Sequence, residues 1–168
     1  MNTLQRWATH LWLDAGDAQR RLTPSGLTRL EQAVAASEAR HLGELRLCVE
    51  GGLPWSHLRE GCTPRERAIE LFSQLRVWDT AHNNGVLIYL LLAERRIEIL
   101  ADRGLSQHAS PEVWQAMAQS LSSALQNGQF EAGLMQAIND VGTLLRSHFP
   151  TVPGHRNTNE LPNAVVLI

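Results

Sequence analysis

The spacing of apolar positions along this chain changes several times, and each change marks an element. Near the N-terminus Leu4, Trp7, Ala8, Leu11 and Trp12 recur at helical intervals, so residues 3–14 predict a short amphipathic helix. A second helix is expected from Pro24 to His41. Thr23 is suited to cap it, Pro24 fits a first turn whose N–H groups lack helical partners, and Leu27, Leu30, Val34, His41 and Leu42 form its buried stripe before Gly43 stops it. Glu44–Glu50 then alternates with period two, placing Leu45, Leu47 and Val49 on one face of a first strand. Gly51–Cys62 reads as a loop. Thr63-Pro64-Arg65-Glu66 is a capping box, in which the Thr hydroxyl and the Glu carboxylate satisfy first-turn N–H groups reciprocally; the helix it opens is expected to turn Ala68, Ile69, Phe72 and Leu75 inward.

Val86–Leu92 is apolar without interruption, as in a central strand covered on both faces. Ala93–Arg95 has the length of a hairpin turn, and Arg96–Ala101 alternates again with Ile97, Ile99 and Ala101 inward. Ser110-Pro111-Glu112 begins a helix that runs to about Leu125 and ends at Asn127-Gly128; a last helix spans about Phe130–Phe149. The order is ααβαββαα. A helical crossover between the first two strands makes them parallel, the hairpin makes the third antiparallel, and the remaining helices cover both faces. The expected fold is α/β: a three-layer α/β/α sandwich around a small mixed sheet. Residues 1–22 read as an N-terminal amphipathic helix and linker, 23–149 as the α/β domain and 150–168 as an extended tail ending in Val165–Ile168.

Composition narrows the function classes. The chain has 168 residues, enough for one domain with a sizeable core, and 15 Lys and Arg against 17 Asp and Glu leave a net charge of -2. That balance offers no electrostatic footprint for nucleic acid and no polybasic run for an acidic membrane. Cys48 and Cys62 make neither a disulfide framework nor a zinc spacing. The first residues lack the continuous apolar core of a signal peptide, and the longest apolar run, Val86–Ala93, is far short of a membrane span, so no transmembrane anchor and a cytoplasmic location are expected.

The inferred topology gathers polar residues at one edge of the sheet. The Asp79–Asn84 loop, with His82 and Asn83, leads into the second strand there; the first strand begins at the same edge with Glu44; the third, being antiparallel, finishes there at Asp102. Carboxylate and amide oxygens are hard ligands suited to Ca²⁺ or Mg²⁺, and an ion so held can clamp a phosphate ester and activate water. Equally, Asn83-Asn84-Gly85 and Asp102-Arg103-Gly104 have the composition of ordinary turns, with Asp102 bonding its own backbone. At the opposite edge, where α/β sheets usually bind ligands, Gly51-Gly52 stands near Trp55, His57, Arg59 and Glu60. No phosphate-cradle fingerprint accompanies them, Ser56-His57 is not a triad, and no nucleotide or organic cofactor is expected.

The run from Trp78 through Asn84-Gly85-Val86-Leu87, the Arg95/Arg96 turn, Ile97-Glu98-Ile99 and Gly104-Leu105 resembles the signature of the TPM-domain family, as does Phe130-Glu131-Ala132-Gly133 at the head of the last helix. The resemblance extends from about Leu30 to His148. It implies the same three-layer fold, divalent-metal binding, chiefly of calcium, and, by analogy with a plant thylakoid relative, acid phosphatase activity; other members are accessory or assembly factors at membranes. Many bacterial relatives carry a secretion signal and a C-terminal transmembrane helix, so this chain is expected to be a short soluble form. Carried over to these positions, the loop beside the N-G-V-L strand is Asp79–Asn84 and the post-hairpin turn is Asp102–Gly104, giving Asp79, Asn84 and Asp102 as the metal residues. Glu44 joins them by topology alone.

Two functions follow. One is an accessory or binding module, with a protein partner engaged through the Trp7/Trp12 helix or the C-terminal tail. The alternative is a metal-dependent phosphatase acting on phosphomonoesters. Whether the chain is an enzyme stays open, because no nucleophile or general base stands out. The helical spacing of Trp7 and Trp12 fits packing against the domain's own core equally well.

Overall fold

The computed structural model describes residues 3–12, 15–151 and 158–168, with side chains described from Arg6 to His10 and from Gly16 onward. Among the described residues twelve elements run in chain order. They are α1 (Thr3–Trp12), α2 (Ala15–Arg21), α3 (Pro24–Glu38), β1 (Leu45–Glu50), α4 (Trp55–Arg59), α5 (Pro64–Gln74), β2 (Val86–Leu91), β3 (Arg96–Ala101), α6 (Arg103–Ser106), α7 (Pro111–Gln126), α8 (Phe130–His148) and β4 (Val166–Leu167). The sheet order is β3-β2-β1-β4. β1 is parallel to β2 with Leu45 opposite Val86, and β2 is antiparallel to β3 with Val86 opposite Ala101. The expected α/β sandwich around a mixed sheet is therefore the observed one.

The pleat of β2 divides the core in two. Val86, Ile88 and Leu90 face one way, joining Leu45, Leu47 and Val49 of β1 against Leu30 and Val34 of α3 and Leu134, Ile138, Val141 and Leu145 of α8. Leu87, Tyr89 and Leu91 face the other way, with Cys48, against Ala68 and Leu71 of α5, Leu58 of α4 and Leu161 of the tail. Both faces of a strand with uniformly apolar residues are thus buried, as its composition requires.

Local signals fixed several elements. Thr63 Oγ1 accepts from Glu66 N at 3.2 Å while Thr63 N donates to Glu66 Oε2 at 2.8 Å, closing the capping box at α5. Thr23 Oγ1 likewise accepts from Gly26 N to cap α3. Several features differ from the sequence expectation, among them the short α6 where a turn is expected. α2 occupies part of the expected linker, and the five-residue α4 forms inside the expected loop. α3 ends at Glu38 rather than His41. His41 is buried beyond it, where Ser37 Oγ and the Gly43 backbone occupy both ring nitrogens. Ile69 is 55% exposed, because α5 turns Arg67, Ala68 and Leu71 inward instead.

The tail is a structural part of the sheet. β4 pairs parallel to β1, Gly51 N donates to Ile168 O at 2.8 Å, and the Arg46 guanidinium donates to the carbonyls of Pro162 and Ala164. At the other terminus, Trp7 meets Trp55 edge-on with ring centroids 4.8 Å apart. Arg6 pairs with Glu94 at 2.8 Å and His10 accepts from Leu53 N, so α1 is docked on its own domain. Trp12 has its side chain outside the described residues. Among the described residues no helix is long and apolar enough to cross a membrane.

Candidate functional site

At the sheet edge where β2 begins, two loops lie face to face because glycine lets them. A Cβ on Gly85 would overlap the Val77 carbonyl oxygen, and one on Gly104 would stand 2.5 Å from the carbonyl oxygens of both His82 and Asn83. Asp102 N donates to Gly85 O at 2.9 Å and Gly104 N to Asn83 O at 2.8 Å. Asn83, with φ of 51°, takes the left-handed turn between them, and its side chain accepts from the Arg103 guanidinium.

Within this corner Asn84 is fully buried. Its N–H donates to Thr80 Oγ1 and its Nδ2 donates to Leu42 O at 2.9 Å, which leaves Oδ1 buried without a hydrogen-bond partner among the described residues. Asp102 caps the short α6: Oδ1 accepts from Arg103 N at 2.7 Å, while Oδ2 is likewise buried without a partner. Leaving a buried oxygen unsatisfied costs about 1–3 kcal/mol, more for a charged group, so two such atoms at one corner call for a donor, a cation or a bridging water.

The other expected site residues stand differently. Asp79 and His82 are exposed on the outer part of the loop. Glu44 stands just before β1 at the same edge but faces the tail: its Oε2 accepts from Leu161 N at 3.1 Å. Beside it Glu38, at the end of α3, accepts from Leu45 N at 2.8 Å. Burial first, and the neighbouring Glu44 carboxylate second, push the Glu38 carboxyl up to about 8 against the Leu45 hydrogen bond. Glu44 and Glu38 thus hold the tail and β1 in place rather than lining the Asn84/Asp102 corner. Among the described residues, no group of three His, Cys, Asp or Glu side chains is arranged to hold a metal. An ion at the corner would take one anionic and one neutral oxygen from Asp102 and Asn84, with water completing its shell. Such a sparse oxygen set fits Mg²⁺ or Ca²⁺ and no softer metal.

The opposite edge carries a polar network that sequence reasoning missed. Glu50, at the end of β1, is 2% exposed and receives three N–H···O contacts from Arg67, the shortest 2.8 Å, and the Tyr89 hydroxyl at 2.6 Å. Arg67 also donates to Glu70 at 2.9 Å. Glu70 bonds His57 Nε2 at 2.7 Å, and His57 Nδ1 lies 3.3 Å from Ser56 Oγ. Burial and Glu50 together hold Tyr89 protonated. A Ser-His-Glu string is present, yet Arg67 competes for the carboxylate that would support an imidazolium, and the string serves to close the Glu50 network. Of the residues expected here, Trp55, His57 and Arg59 sit on α4, and the Gly51 N–H is engaged by Ile168 O and so is not free to meet a phosphate. The only advance signal of this network was a Glu in the strand and an Arg in the helix, each at an apparently outward position.

His10 completes that edge. Leu53 N donates to its Nδ1, so the ring proton sits on Nε2 and is given to Glu94 Oε1 at 3.0 Å; burial lowers its pKa and outweighs Glu94.

Comparison with known proteins assigns the fold to a family. The sequence matches the TPM domain over residues 16–144. No curated protein matches it. Among solved structures, the BA42 protein from the psychrophilic bacterium Bizionia argentinensis is 26% identical, with a TM-score of 0.75 over 86% of this chain and 94% of that one. The N-terminal domain of a P. gingivalis protein is similar in fold, at 19% identity and a TM-score of 0.57, covering 78% of this chain and 82% of that one. With the match spanning most of the chain and both loops of the corner, the protein belongs to the TPM-domain family.

Proposed function

We propose that this TPM-domain protein is a binding or accessory module that holds Ca²⁺ or Mg²⁺ at the corner between the Asp79–Asn84 loop and Asp102. What supports the reading is the pair of buried oxygens without partners, Asn84 Oδ1 and Asp102 Oδ2, on adjoining loops. Asp102 supplies charge, Asn84 a neutral carbonyl, and Asp79, exposed on the same loop, a third oxygen reachable from solvent; Glu44 adds negative potential from the same edge while bonding the tail. A water shared by the two buried atoms would meet the same need, so the ion itself must be tested.

The test is thermal unfolding with and without millimolar Ca²⁺ or Mg²⁺. An ion present at ten times its dissociation constant stabilises the fold by about 1.4 kcal/mol, or roughly 3–6 °C for a domain of this size. Asp79→Ala/Asp102→Asn keeps the α6 cap, since Asn also accepts from Arg103 N, and is expected to lose the shift. No shift in the natural protein, or the same shift in the double variant, rejects the site.

The second reading, a metal-dependent acid phosphatase, draws on the exposure of Asp79 and His82, which lets a phosphate ester approach an ion at this corner from solvent. Hydrolysis of a chromogenic phosphomonoester from acid to neutral pH tests it, and turnover that persists unchanged in the double variant removes these residues from catalysis.

A further inference from the structure

On the sheet face away from α5, a cavity of about 250 Å³ opens between the end of β2 and the turn joining α7 to α8. Its floor is apolar: Leu90 from β2, Leu92 just after it, Leu125 from α7 and Phe130 from α8. Its flanks carry two arginines. Arg21, at the end of α2, stacks on the Phe130 ring with its guanidinium carbon 5.0 Å from the ring centroid, which fixes it beside the cavity. Arg95 is placed by the hairpin turn, whose left-handed φ of 51° it adopts. Neither makes an ion pair with a carboxylate among the described residues, and no Asp or Glu is among the described residues lining the cavity. The adjoining cavity beyond Arg95 is different. There Glu98 lies 3.3 Å from Arg65 and 3.8 Å from Arg96, so a carboxylate already engages two of the basic groups.

We infer that the Arg21/Arg95 cavity binds a small amphiphilic anion: an acyl or aryl body carrying one carboxylate or phosphate head. Guanidinium groups recognise both heads through paired N–H donors, and the apolar floor rewards a hydrophobic body. At about 30 Å³ per methylene-sized group the space takes roughly eight such groups, below the usual 300–1,000 Å³ of drug-sized sites and too few for a two-chain lipid. The site lies at the opposite edge from the Asn84/Asp102 corner and is independent of any cation there.

Calorimetric titration of the full chain with octanoate, octyl phosphate, octanol and acetate tests this. Saturable binding of octanoate or octyl phosphate is expected, at least about tenfold tighter than octanol or acetate. Octanoate alone would assign a carboxylate head, and octyl phosphate alone a phosphate head. Arg21→Gln/Arg95→Gln, both exposed, should weaken binding about tenfold without changing the melting temperature. Leu125→Trp should fill the floor and abolish binding; Ser122→Trp, at the cavity wall, replaces it if the Leu125 variant does not fold. Equal binding of octanol and the anions, unchanged affinity in the arginine variant, or no saturable binding of either anion to the natural protein overturns the inference.

Discussion

Glu38 makes a sharp prediction about stability and pH. Its carboxyl is buried at the end of α3, accepts from Leu45 N, and is held up to about 8 by burial and by the Glu44 carboxylate. In the unfolded chain the same group titrates near 4.5. Below that pH both states are protonated and the contribution is fully present. As pH rises from 4.5 through 8, the unfolded chain releases a proton that the fold retains, so stability falls. A shift of that size is worth at most about 5 kcal/mol at 1.4 kcal/mol per unit, and relaxation around the charged form reduces the expected loss to about 2–3 kcal/mol. Glu38→Gln keeps the oxygen that Leu45 N needs and cannot ionise. Urea unfolding followed by circular dichroism from pH 5 to 9 should show the natural protein losing about 2–3 kcal/mol more than the variant across that range. His41, lowered to about 4 by burial, acts in the opposite sense: its contribution is present above 6.5 and lost as pH falls through 4, equally in both proteins. Parallel stability curves for natural protein and variant between pH 5 and 9 would refute the assignment of Glu38.

Two further outcomes follow from the packing. Arg67→Ala leaves Glu50 buried and without its three guanidinium contacts, and should destabilise the fold by about 3–5 kcal/mol in chemical unfolding, whereas Arg65→Ala, on the exposed face of the same helix, should change it by less than about 1 kcal/mol. Gly85→Ala drives a methyl into the Val77 carbonyl and should lower stability by several kcal/mol, of order 3; Gly61→Ala, where φ is 76° but the space is open, should cost only about 1 kcal/mol of backbone strain.

What the sequence disclosed and what it hid divide along the range of the interactions. The α5 capping box joins residues three apart, and the β2 run declares a central strand by itself, so both are legible. β1 alternates as if one face met solvent, but all six of its residues are buried. Arg46 Nη1 donates to tail carbonyls and Glu50 accepts from Arg67 and Tyr89, partners drawn from three remote segments. The same contact explains Ile69: α5 must turn Arg67 inward to reach Glu50, which swings Ile69 out. At the candidate site, convergence of the Asp79–Asn84 loop with Asp102 follows from strand direction alone. Which oxygens remain unpartnered does not, because it depends on which donors reach them: Arg103 N takes Asp102 Oδ1, while Leu42 O and Thr80 Oγ1 engage only the N–H groups of Asn84.

Ligands of α/β sheets usually sit beyond the carboxyl ends of parallel strands, and this fold shows why that rule needs a face as well as an edge. On the α5 side that edge is closed. Arg6 and His10 of α1 converge on Glu94, Gly51 is taken by the last residue of the chain, and Glu50 is locked by Arg67 and Tyr89. The groups of that network that could grip an anion, Arg6, His10, Arg67 and the Gly51 N–H, already hold partners. On the α7 side of the same edge, Arg21 and Arg95 flank an apolar floor with no carboxylate between them. At the far edge the imbalance is reversed, since Asn84 and Asp102 present oxygen without donors. Both proposals therefore rest on the same kind of imbalance, a surplus of cationic donors at one end and of oxygen acceptors at the other.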